Sequence, residues 1–157
     1  MMKNNLSLLI FGVFFALPLY AGEYASLKFD EVNMRTGPGE RFPIKWVYQE
    51  KHYPIEVLDR FELWRQVRDK EGEIGWMHQN MLTKNRYVII TKEDNLLKKT
   101  DETKAVAVLQ PGVLAKLERC PTGNYCRLTV HSGEEKYSGW YLRSNLWGID
   151  NGEIVQE

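Results

Sequence analysis

The sequence has no surplus of charge of either sign: 21 lysines and arginines face 21 aspartates and glutamates. Proteins that grip nucleic acid or an anionic membrane by charge need a basic surplus, so neither is expected as a partner. Histidine is scarce. His52, His78 and His131 stand alone, with no two at a metal-ligand spacing, so no metal is expected. No glycine-rich loop opens a helix. Gly37-Pro38-Gly39 is too short, and Pro38 lacks the amide that a phosphate cradle needs. No cofactor is therefore expected. There is no Cys-x-x-Cys pair and no long Gly/Ser run of the kind that makes a flexible linker. Few segments carry a helical period.

The one long apolar stretch is at the start. Lys3 precedes residues 6–20, which are apolar except for Ser7, and Ala21 offers a small residue for cleavage. A run of about 15 residues falls short of the roughly 20 that a spanning helix needs. The pattern predicts a secretory signal peptide at residues 1–21, with an uncleaved anchor as the competing reading. Lys3 lies in the leader, so the exported chain would carry one more carboxylate than cation. Export places Cys120 and Cys126 in an oxidising compartment, where a pair is most often a disulfide. The residues between them, Pro-Thr-Gly-Asn-Tyr, read as a turn.

What remains is short strands. Runs of four to seven residues alternate apolar and polar side chains, are rich in Val, Ile, Tyr and Trp, and are separated by Gly, Pro, Asn and Asp. They fall at 24–29, 32–35, 53–59, 63–68 and 73–77. Residues 78–82 suit a single turn of 3₁₀ helix. The pattern then recurs. Gly75-Trp76 returns as Gly139-Trp140, Trp64-x-x-Val67 as Tyr125-x-x-Leu128, and Asn33-Met34 as Asn95-Leu96. The separations are all close to about 60 residues, which argues for two copies of one unit. The expected fold is all-β: a first small barrel over residues 22–84, a second over 87–149, and a tail over 150–157. Residues 87–91 either start the second copy or pair back onto the first. The predicted core is Leu27, Met34, Ile55, Val57, Val67, Ile74, Trp76 and Leu82, then Leu96, Val108, Leu114, Leu117, Leu128, Trp140 and Leu146. Gly37 and Gly39 are read as permitting positive φ around Pro38. Gly75 is read as a strand bend or a close backbone approach.

The ordered anchors of residues 24–84 resemble the bacterial SH3-like domain family. These are Asn33-Met34-Arg35-Thr36-Gly37-Pro38 opening a long first loop, Trp64 to Val67, Gly75-Trp76, the short helical turn and Leu82. Residues 90–148 resemble it less closely, with Leu97-Lys98-Lys99-Thr100 in place of the Arg-x-Gly-Pro element. The resemblance implies two tandem SH3-like barrels. In that fold the ligand groove lies between the first long loop and the loop before the Trp strand, floored by the one-turn helix. Carried over, it implies Arg35, Trp46, Tyr48, Trp64 and His78. His78 and Met81 stand where the polyproline-binding relatives have Pro and Tyr, so a proline-rich ligand does not follow from the resemblance.

Catalytic groups do not converge in the sequence. Cys126 and His131 are five apart on one strand and so point to opposite faces. A separate wall-peptidase domain would need roughly a hundred residues, and two SH3-like units leave no such stretch. The acidic runs at 69–73 and 134–135 read as solvated hairpin tips. Aromatic side chains are the remaining signal. Trp46, Tyr48, Tyr53, Trp64, Tyr137, Tyr141 and Trp147 exceed what two small cores hold, so some line a surface groove or the seam between units. The resemblance implies an exported, periplasmic, non-catalytic binding module for peptidoglycan peptides or an envelope protein. The alternatives are a structural protein that docks another protein without a wall ligand, and a cell-wall hydrolase.

Overall fold

The computed structural model describes residues 22–101 and 103–156. The signal-peptide expectation falls on residues 1–21, outside the described residues. The first half holds β1 (Glu23–Leu27), β2 (Val32–Arg35), β3 (Ile44–Tyr48), β4 (Pro54–Phe61), β5 (Trp64–Arg68), β6 (Ile74–His78), a one-turn 3₁₀ helix (Gln79–Met81) and β7 (Leu82–Thr83). The second holds β8 (Tyr87–Ile90), β9 (Asp94–Leu97), β10 (Ala105–Leu109), β11 (Leu114–Arg119), β12 (Tyr125–Ser132), β13 (Glu135–Leu142), another one-turn 3₁₀ helix (Arg143–Asn145) and β14 (Leu146–Trp147).

Each half forms one seven-stranded antiparallel sheet. The orders are β3-β2-β6-β5-β4-β1-β7 and β10-β9-β13-β12-β11-β8-β14, the same order twice. Residues 87–90 pair with β11 and β14, so they belong to the second sheet. The expected barrels are not closed. Each ladder is linear, and β7, only two residues long, is spent on β1 without meeting β3 at the other end. Each sheet nevertheless wraps one core. Leu27, Val32, Met34, Ile55, Val67 and Met77, from five adjacent strands, make the first. Val88, Ile90, Leu96, Leu117, Leu128 and Tyr141 are central to the second.

The face of the Gly-Trp strands is the reverse of the sequence expectation. Along β6, Gly75 and Met77 point inward, whereas Trp76 is half-buried and Ile74 is 43% exposed. A Cβ at Gly75 would lie 2.4 Å from Met34 Cγ and 2.8 Å from the Arg35 carbonyl oxygen. The glycine must sit under β2, and strand alternation then turns the indole outward. β13 repeats this. A Cβ at Gly139 would meet the Leu97 carbonyl at 2.6 Å, Tyr141 takes the inward position, and Trp140 lies outside under Arg119, whose guanidinium is 5.0 Å from the ring centre. Val108 is 56% exposed, and Val57, Leu82 and Leu114 are only half-buried. Gly37 and Gly39 do not take positive φ. Gly37 instead makes room for the Phe42 ring, whose Cδ1 would be 2.4 Å from an added Cβ.

The two sheets meet along an aromatic seam. Tyr24 packs edge-on against Trp147 at 5.6 Å, Tyr53 lies 6.4 Å from the same indole, and His52 stacks on Tyr87 at 4.1 Å. The buried Ser26 hydroxyl accepts the Tyr87 amide at 3.1 Å. Arg86, between the sheets, pairs with both carboxylate oxygens of Glu153, donates to the Gly148 carbonyl at 2.7 Å and covers the Tyr24 ring. The Cys120–Cys126 disulfide is formed. Beside it the tail lies on the second sheet, where Cys120 and Val155 exchange backbone hydrogen bonds at 2.7 and 3.0 Å. Among the described residues no helix is long and apolar enough to cross a membrane.

Candidate binding site

A cleft of about 360 Å³ opens on the first sheet. Strand parity builds it. Val32 and Met34 fill the core, so Asn33 and Arg35 share the outer face of β2. Trp64 at the start of β5 pairs in register with His78 at the end of β6, and the two rings meet edge to face at 5.4 Å. The one-turn helix adds Asn80 and Met81, while Glu31 and Glu40 stand at the rim. His78 also caps that turn: its Nδ1 accepts the Asn80 amide at 3.2 Å. In the neutral ring the proton is then on Nε2.

Arg35 has a second task. Its Nη1 donates to the Glu40 and Phe42 carbonyls at 3.1 and 2.8 Å, which pins the long first loop against β2. That loop is thus one wall of the cleft, held by the side chain beside which the cleft opens.

Of the five residues expected to form a groove, the structure brings Arg35, Trp64 and His78 together. Trp46 and Tyr48 lie elsewhere. On β3 they face the hairpin between β5 and β6, where three aromatic donors meet three alternate carboxylates. Trp46 Nε1 donates to Glu73 (3.2 Å), the Tyr48 hydroxyl to Asp69 (2.7 Å) and the Tyr53 hydroxyl to Glu71 (2.8 Å). The hairpin is therefore not a freely solvated tip. Asp69 is 7% exposed, and its other oxygen accepts the Glu73 amide at 2.8 Å. Burial, then the bond to Asp69, pushes the Tyr48 phenol well above its ordinary range. Lys45 and the Trp46 indole hold the Glu73 carboxyl below the usual carboxylate range. Trp46 keeps 51% of its surface exposed.

Sequence reasoning missed Glu31, Asn33, Glu40 and Asn80. The first two were within reach, because positions 31, 33 and 35 share one face of an extended chain once Val32 and Met34 are assigned inward. Cys126 and His131 lie on opposite faces of β12, as their spacing on one strand implied. Cys126 is disulfide-bonded and fully buried, His131 is exposed on β12, and His52 lies in the seam. Among the described residues no cluster of three or more His, Cys, Asp or Glu could hold a metal ion.

Residues 28–84 match the family model of the bacterial SH3 domain. Comparison with curated proteins gave no match. Among solved structures, NlpC1 from Trichomonas vaginalis is 15% identical, with 83% of this chain and 48% of that one covered and a TM-score of 0.37. NlpC2 from the same organism is 13% identical, with coverages of 80% and 48% and a TM-score of 0.36. The chain spans about half the length of these proteins.

Proposed function

We propose, from residues 28–84 being a bacterial SH3 domain, that the protein is an exported, non-catalytic binding module that holds peptidoglycan peptides in the cleft of its first sheet. The observation that carries this is the Trp64–His78 wall. An aromatic corner opens on about 360 Å³ and stands beside the amides of Asn33 and Asn80. An open site with one apolar face and a few convergent polar groups suits a short peptide better than it suits chemistry. In this reading the protein works in the periplasm and the second sheet supports the first through the seam.

The test is sedimentation of the exported protein with purified sacculi. Binding is expected, with loss in Trp64→Ala and retention in Trp46→Ala, because only the first indole lines the cleft. No sedimentation would leave a protein partner as the ligand. Release of muropeptides would overturn the non-catalytic reading.

A further inference from the structure

The first cleft reaches the one-turn helix, which contributes Asn80 and Met81 to its lining. A second cleft of about 420 Å³ lies on the far side of that turn, and Asn80 lines both. Their charges are opposite. The first holds two carboxylates, Glu31 and Glu40, against the single guanidinium of Arg35, whose charge counts in full because it is bonded to backbone carbonyls alone. Among the described residues neither carboxylate has an ion-pair partner. The second cleft holds Arg60, Arg65 and Lys84 against Glu23, and Glu23 pairs with Arg60. Among the described residues Arg65 and Lys84 have no carboxylate partner. Arg65 is half-buried and bonded only to neutral acceptors: the Glu62 and Trp64 carbonyls and the Gln79 amide oxygen.

We propose that the two clefts form one groove for a short zwitterionic peptide, with its ammonium group at Glu31 and Glu40 and its carboxylate at Arg65 and Lys84. Between the charged ends the groove offers hydrocarbon from Trp64, Met81 and Leu82. At the junction the Asn80 amide, both donor and acceptor, matches a peptide bond. A ligand with charge at one end only would leave the other end unpaired. The opposed charges thus set the direction of the bound chain as well as its class. This inference rests on the binding reading above and gives that reading an orientation.

The test titrates the protein with tetra-alanine in three forms: free termini, N-acetylated, and C-amidated. The free form is expected to bind tightest, with each block weakening it about 1.5- to fivefold, the scale of one exposed ion pair. The Glu31→Gln, Glu40→Gln double variant should remove the penalty for acetylation and keep that for amidation, and Lys84→Gln should shrink only the penalty for amidation. Equal affinities for the three forms, or penalties that these variants do not move, would overturn the proposal. If tetra-alanine fails to bind while sacculi still capture the protein through Trp64, the zwitterion groove falls and the binding function stands. If both fail, both readings fall.

Discussion

The Tyr48 hydroxyl lies 2.7 Å from the Asp69 carboxylate, joining β3 to the turn after β5 across 21 residues of sequence. Asp69 is nearly sealed from water, so the phenol replaces a solvent hydrogen bond that the carboxylate has lost. Tyr53 makes the same kind of bond to Glu71, but there water can substitute because Glu71 is exposed. Tyr48→Phe should therefore lower stability by about 1–3 kcal/mol, the cost of leaving a buried acceptor short of a donor. Tyr53→Phe should stay within about 0.5 kcal/mol. Urea denaturation of both variants measures the difference, and equal losses would mean that the Asp69 bond has no special weight.

Alkaline pH tests burial of other phenols. Tyr24 is pushed up to about 12, first by burial and then by the Glu56 and Asp150 carboxylates. Tyr141 is also pushed up to about 12, by burial and then by Asp94 and Glu93. A raised folded-state pKa means that the unfolded chain loses its proton first. The contribution of each group is complete below about pH 10 and is lost as the pH climbs from there to about 12. The urea midpoint should fall steadily over that interval. Tyr24→Phe and Tyr141→Phe should each flatten the fall. A midpoint unchanged by alkali would contradict the burial of both rings.

The strand pattern and the repeat were legible in the sequence because period-two alternation and turn residues act locally. The close approach at Gly75 was legible too, since a glycine between bulky strand residues marks crowding. The parity beside it was not. Trp76 is the largest apolar side chain on β6 and looks like core, yet the inward place belongs to the residue that fits under β2. The site divided in the same way. Arg35, Trp64 and His78 converge because registered neighbours carry them. Trp46 and Tyr48 were misplaced because their partners Glu73 and Asp69 are 27 and 21 residues away, and the β2–β3 register shifts between Met34 and Arg35. Nothing local signals such a shift.

The glycine argument predicts a matched pair of losses. Gly75→Ala and Gly139→Ala both push a Cβ against a backbone carbonyl of the neighbouring strand, at 2.8 and 2.6 Å, and a carbonyl in a ladder has little room to yield. Each should cost about 1–3 kcal/mol as overpacking. The reversed parity adds a second readout. Met77→Ala, which empties a fully buried site, should cost about 2–5 kcal/mol. Trp76→Ala should cost less despite the larger side chain. If Trp76→Ala proves the more damaging, the indole is core and the face assignment fails.

The Cys120–Cys126 staple and the tail should be coupled. Cys120 exchanges two backbone hydrogen bonds with Val155, and the buried Arg143 donates to the Pro121 carbonyl inside the staple and to the Asp150 and Glu153 carbonyls in the tail. The disulfide loop is thus the surface on which the tail lies, and Arg143 ties the two together. Replacing both cysteines by serine should cost about 2 kcal/mol on the chain-entropy estimate for so short a loop. It should also let a carboxypeptidase trim the tail back toward Ile149. Arg143→Gln should free the tail while mass spectrometry still shows the disulfide intact, which separates the anchor from the staple. A tail that stays protected in the double serine variant would show that Arg143 and the Arg86–Glu153 pair hold it without help from the loop.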